Sequence, residues 1–186
     1  ERDWQRAEWL VANSGLEMVY PGIRKRPLPQ QVELVILDFD GVMTDDRVWV
    51  DQHGNEMVAA NRRDGMGVAA LHRVGIPAVV LSTEVNPVVA VRCAKLQLPV
   101  MQGLSDKTFA LRTLLAERQI DPASVVYLGN DINDVPCFPL VGCAVVVADA
   151  HPNAIDRADI VLSSKGGHGA VRELCDRIIL NQIRSE

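Results

Sequence analysis

A doubly wound, mainly parallel α/β sheet of the Rossmann-like kind is what this sequence predicts, and three observations predict it. Short uninterrupted runs of Val, Ile, Leu and Ala recur along the chain, at Leu34–Leu37, Ala78–Leu81, Val125–Leu128 and Cys143–Val147. Runs of this length, bounded by turn signals, read as strands buried on both faces, the pattern of parallel sheets. Helical periodicities fill the intervals between them, so strand and helix alternate. The first run ends in Asp38-Phe39-Asp40-Gly41, two carboxylates one residue apart at the strand end where open sheets place their ligands. Their spacing along an extended chain points both the same way.

Taken in order, Asp3–Asn13 has helical spacing, with Trp4, Ala7, Leu10 and Val11 on one side and Ser14-Gly15 closing the run. Tyr20–Pro29 alternates prolines with basic residues and reads as a linker. Residues 1–31 are thus a helix and linker, and 32–186 the compact domain, beginning near Val32. After the first strand, Val48–Val50 and Glu56–Val58 flank the Gly-containing Asp51–Asn55, a hairpin signal. A helix follows over Gly65–Val74, with Asp64 as its expected N-cap and Gly75 as terminator. The strand Ala78–Ser82 precedes a helix from Pro87 to Leu96 and a short strand at Pro99–Met101. Asp106 caps a helix to Arg118, and Val125–Leu128 ends in Gly129-Asn130-Asp131. Cys143–Val147 and Ile160–Leu162 are separated by a helix begun by Pro152. Gly166–Gly169 then turns into a final helix, Ala170–Ile179.

Composition bounds the function. The chain has 186 residues, 48% of them hydrophobic, enough to fill the core of one α/β domain. A net charge of −5 argues against nucleic acid or an anionic membrane as partner. No apolar stretch reaches the length of a membrane span, and no signal peptide is evident. Cys93, Cys137, Cys143 and Cys175 lack CxxC spacing and read as core residues of a protein in the reducing cytoplasm. His53, His72 and His151 have no partner at ligand spacing. The chain opens at Glu1 rather than a methionine, as a fragment or a processed product would.

Four strand ends carry polar residues in a set order: Asp38 and Asp40, then Ser82, then Lys107 opening a helix, then Gly129-Asn130-Asp131-Ile132-Asn133-Asp134. A carboxylate that attacks a phosphoryl group needs a divalent cation, an acid for the leaving alcohol, a hydroxyl on a phosphate oxygen and a balancing positive charge. Each type is present at one edge of the sheet. Taken singly, Ser82 is equally a strand-end hydroxyl and Lys107 a solvated first-turn lysine, though an unfavourable one beside the helix dipole.

The four segments together resemble the haloacid dehalogenase superfamily of aspartate-nucleophile phosphatases, over nearly everything from Val32 to Leu180. The resemblance implies that Asp38 is the nucleophile and a Mg²⁺ ligand. It makes Asp40 the general acid/base, with its carbonyl on the metal, and Ser82 and Lys107 the phosphate ligands. Asn130 falls where the family's metal-binding carboxylate usually sits, with Asp131 and Asp134 completing the loop. Only a hairpin flap follows the first motif and there is no cap-sized insertion. With Arg63-Asp64-Gly65 and Gly166–Glu173, this resembles the capless phosphatases of 3-deoxy-octulosonate 8-phosphate and nonulosonate 9-phosphates. Those enzymes are homotetramers, with the hairpin at the interface, and are similar to the C-terminal domain of acylneuraminate cytidylyltransferases. Arg63, Glu84, Lys95 and Arg172 are the implied substrate contacts. Glu84 replaces the arginine usual in the octulosonate enzymes and, with Lys95, is more like the nine-carbon subgroup. His168 also replaces a more usual arginine. The N-terminal Glu1–Glu8 is similar to the end of a cytidylyltransferase domain, so a second reading is an oligomerisation domain of weak or no activity linked to such a partner. A phospho-accepting receiver domain would carry its acidic pair ahead of the acceptor strand, which this chain does not.

Overall fold

The computed structural model of the chain describes residues 25–183. The expected helix at Asp3–Asn13, the similarity at Glu1–Glu8 and the first half of the linker lie outside those residues. Strand β1 (Leu34–Leu37) is followed by the hairpin β2 (Trp49–Val50) and β3 (Glu56–Met57). The helix α1 (Arg62–Arg73), strand β4 (Ala78–Leu81), helix α2 (Val88–Lys95), strand β5 (Val100–Met101) and helix α3 (Lys107–Arg118) come next. The chain ends with β6 (Val125–Gly129), β7 (Cys143–Val146), α4 (Pro152–Arg157), β8 (Ile160–Val161) and α5 (Ala170–Ile183). Six strands form one sheet in the order β5-β4-β1-β6-β7-β8, every neighbouring pair parallel. All residues of β1, β4, β6 and β7 are buried, as strands covered on both faces must be. Because the order runs away from β1 in both directions, the carboxyl ends of β1, β4 and β6 meet at the switch point, where a crevice opens.

Three local expectations change. The helix expected from Gly65 begins at Arg62, capped by Asn61, whose side chain accepts from the Arg63 N–H at 3.0 Å. Asp64 is not the cap of its own helix. It is buried, and its Oδ1 accepts from the Arg172 N–H at 3.0 Å, so it caps the first turn of α5 instead. Residues ahead of Val32 also pack against the sheet. The Arg26 guanidinium pairs with Asp159 at 2.7 Å and donates to the carbonyls of Phe138 and Val141. Finally, α5 continues four residues past Ile179. Between β6 and β7, Val135–Leu140 forms 3-10 turns with Pro136 and Pro139 inside them, a segment whose prolines the apolar pattern did not resolve into an element.

Burial and its pairing give Asp64 a measurable consequence. Burial lifts its carboxyl to about 6, against the Arg172 N–H and the charges of Arg92 and Arg63. A carboxyl raised from 3.8 in the folded state opposes folding once ionised, so stability falls as pH rises from about 4 through 6 and is level above that. Asp64→Asn keeps the acceptor for the Arg172 N–H and removes the charge. In urea titrations, the stability of the native protein relative to this variant is expected to drop by about 2–3 kcal/mol between pH 4 and pH 7. A difference flat across that window shows that the carboxylate meets no such cost.

Candidate active site

The end of β1 sets the first two carboxylates. Asp38 stays in sheet register through its N–H, which donates to Leu128 O on β6 at 2.9 Å. The chain then curls tightly, with the N–H groups of Val42, Met43 and Thr44 converging on Phe39 O. Gly41 takes a φ of +71°, and a Cβ there would fall 1.9 Å from Asn130 Nδ2, so glycine lets the β6 loop close over the β1 loop. Thr44 is fully buried and its Oγ1 accepts from the Gly41 N–H at 3.2 Å.

Beneath the carboxylates lies Lys107, the first residue of α3, with almost no exposed surface. Its Nζ stands 2.8 Å from Asp38 Oδ1 and 2.7 Å from Asp134 Oδ1. Asp134 is wholly buried and fully engaged. Its Oδ1 also accepts from the Tyr127 hydroxyl at 2.8 Å, and Oδ2 accepts from the Asn130 and Asp131 N–H groups at 2.9 and 3.3 Å. One carboxylate therefore ties β6, its loop and the lysine of α3 together. Asp38 Oδ1 accepts from the Phe39 N–H at 2.7 Å as well, so both its contacts fall on one oxygen and Oδ2 is left for the cavity.

The titrations follow from these neighbours. Burial raises the Asp38 carboxyl to about 8, with the Asp134 charge adding to it and Lys107 opposing. Burial depresses the Lys107 ammonium, yet Asp38 and Asp134 outweigh it and hold the group above its ordinary value. Asp40 is pushed up to about 6, by burial first and then by the charges of Glu84 and Asp46.

Asp38, Asp40, Asp46, Glu84, Asn130, Asp131 and Asn133, with Val48 and Thr83, line a cavity of about 270 Å³. Five of these are carboxylates and none is a lysine or arginine. Such a wall repels any anion, a phosphate above all, until a cation is present. The donors suit one: they are all oxygen, which hard cations such as Mg²⁺ prefer. Asn130 Oδ1 is buried without a hydrogen-bond partner, an arrangement that costs free energy unless something binds that oxygen. Among the described residues, however, no three His, Cys, Asp or Glu side chains gather as a metal cluster. The amide at position 130 contributes an oxygen but no charge. Larger hollows, of about 900 and 600 Å³, flank Arg26 and Pro139 at the other end of the sheet. They are mainly apolar and bring no carboxylate pair, hydroxyl and lysine together, so size alone does not locate the chemistry.

Of the residues expected from the sequence, Asp38, Asp40, Glu84, Asn130 and Asp131 line the cavity, and Lys107 lies under it. Ser82, at the end of β4, is buried one residue from the wall, its Oγ accepting from the Glu84 N–H at 3.0 Å. Three expected substrate contacts do not join them in this chain. Lys95 is the last residue of α2, about 10 Å along the helix from its site-facing start, and no ion pair links it to Glu84 among the described residues. Arg172 is spent on Asp176, with Nε 2.7 Å from Oδ2. Arg63 donates to His168 O at 2.9 Å rather than facing the cavity. Two residues central to the geometry carry no sequence signal of it. Tyr127 reads as one more strand residue, and Asp134 as the end of an acidic loop rather than the partner of Lys107.

Residues 82–174 match the family model described as haloacid dehalogenase-like hydrolase. The 3-deoxy-D-manno-octulosonate 8-phosphate phosphatase of Escherichia coli is 40% identical over 154 residues, 82% of either chain. Among solved structures, a HAD family hydrolase from Streptomyces avermitilis superposes with a TM-score of 0.80 and 47% identity, covering 83% of this chain and 88% of that one. The 3-deoxy-D-manno-octulosonate 8-phosphate phosphatase from Moraxella catarrhalis, in complex with magnesium, phosphate and its sugar acid, gives 0.79 and 28%, covering 83% and 89%.

Proposed function

The chain belongs to the haloacid dehalogenase-like hydrolases and is a phosphatase, and we propose that it hydrolyses a sugar-acid phosphomonoester, with Asp38 as nucleophile and Mg²⁺ as cofactor. The observation that carries this reading is the pair Asp38 and Asp40 set over Lys107 in a cavity walled by carboxylates. Asp38 Oδ2 attacks phosphorus, the bond to the sugar oxygen breaks, and Asp40 gives that oxygen its proton. Water, deprotonated by Asp40, then displaces phosphate from the aspartyl phosphate and restores Asp38. A group titrating near 6 is suited to both steps. Lys107 holds Asp38 Oδ1, so Oδ2 is the attacking atom, and with the Ser82 hydroxyl it balances the phosphate oxygens. Asp38, the Asp40 carbonyl, Asn130 and Asp131 are the residues that would hold Mg²⁺, whose charge would favour the ionised, nucleophilic form of Asp38 and screen the wall from the phosphate.

The E. coli and M. catarrhalis relatives favour 3-deoxy-octulosonate 8-phosphate as substrate. Glu84 in the wall, where the octulosonate enzymes usually carry an arginine, resembles the nine-carbon subgroup and supports a nonulosonate 9-phosphate as the alternative. The flap exposes Trp49, Val50 and Met57, each more than half accessible, and we assign this apolar patch to the contact that makes a homotetramer.

Phosphate release from the two substrates, with Mg²⁺ and with EDTA, tests the reading. Magnesium-dependent turnover of at least one is expected, and no turnover of either overturns it. Asn130→Asp adds the missing charge and is expected to lower the magnesium concentration for half-maximal activity by about tenfold. No change would show that Asn130 does not touch the cation.

A further inference from the structure

We propose that Asn61 is a positioning residue for Asp40, acting through the glycine loop Gly166–Gly169; this rests on Asp40 being the general acid. Two segments distant in sequence close on the curl that carries Asp40. Gly167 donates its N–H to Val42 O at 3.0 Å, and Gly166 lies flat against the curl, where a Cβ would stand 2.0 Å from Gly41 O. With no side chain between them, a shift of the loop is passed directly to Gly41, the residue after Asp40. From the other side, Ala60 bridges Thr44, whose Oγ1 accepts from the N–H of Gly41, the residue after Asp40.

Asn61 joins the two segments. Its Oδ1 caps α1 by accepting from the Arg63 N–H, while its Nδ2 donates to Gly167 O at 3.1 Å. Its own carbonyl accepts from Arg92 at 3.0 Å, which holds Asn61 from the α2 side. The cap uses one atom of the amide and the glycine loop uses the other, so the two roles can be separated by substitution.

Asn61→Asp keeps a cap of equal quality and turns the donor to Gly167 O into a carboxylate oxygen facing it. Asn61→Ser also keeps a cap, loses the donor and adds no charge. The readout is kcat/KM of the full chain with Mg²⁺, which reports only the transfer to Asp38. It is compared on an alkyl phosphate, whose leaving group needs the proton, and on p-nitrophenyl phosphate, whose leaving group does not. Both variants are expected to lose roughly tenfold to a hundredfold on the alkyl phosphate and less than about threefold on the aryl one, at an unchanged melting temperature. Asp40→Asn is the reference and should show the same selectivity more strongly. Equal losses on both substrates, or no loss, in the two Asn61 variants beside a selective Asp40→Asn overturn the inference. An unselective Asp40→Asn overturns the general-acid reading itself.

Discussion

Asp38→Asn is expected to fold as the native protein does and to lose phosphatase turnover by on the order of 10⁴-fold or more, as removal of a covalent nucleophile does elsewhere. The amide keeps an oxygen able to accept from Lys107 and from the Phe39 N–H, so the strand end and its loop have no reason to move. It cannot attack phosphorus. It also replaces a group whose ionisation burial and the Asp134 charge oppose, so the melting temperature should hold or rise. Steady-state phosphate release with the preferred substrate, together with a thermal melt, checks both halves. Residual activity within tenfold of the native value would place the nucleophile elsewhere. A native protein as inactive as the variant would instead favour a purely assembling domain.

Lys107→Met is the second large effect, and here stability should fall with activity. The side chain is nearly without exposed surface and is the cation between two buried carboxylates. Removing one member of such a cluster leaves uncompensated charge, at a cost of about 3–5 kcal/mol, whereas the methionine recovers only packing. Asp134 cannot turn to water, because its oxygens also hold the Tyr127 hydroxyl and the Asn130 and Asp131 N–H groups. Urea unfolding at neutral pH measures the loss, and one under about 1 kcal/mol would mean that the cluster is solvated in solution. Activity should fail for the same reason, since Asp38 loses the contact that selects its attacking oxygen.

The alternation of buried runs with helical periodicities was legible because parallel strands are apolar on both faces, and the sheet forms where it reads. The hairpin was legible from the Asp51–Asn55 turn, where the Asp51 carboxylate gathers the N–H groups of His53 and Asn55. Helix starts were less so. Asn61 and Asp64 are both good caps by type, and nothing local distinguishes the one that caps its own helix from the one that caps α5. The candidate substrate contacts were least legible, because Arg63, Lys95 and Arg172 were placed by motif while their directions depend on neighbours brought in by the fold.

The order of polar residues at successive strand ends, and so the class of chemistry, follows from the sequence alone. Strand direction brings Asp38 and Asp40 to the carboxyl edge of the sheet, and the curl after β1 carries Asp40 into the same cavity. What only the tertiary structure decides is how those groups are held. Lys107 becomes a buried cation rather than a solvated one because Asp134 reaches it from a loop 27 residues on. The Gly166–Gly169 turn becomes a support rather than a hinge because Gly41 and Val42 press against it. Both are contacts between segments far apart in the chain, set by packing, and no local pattern of residues encodes them.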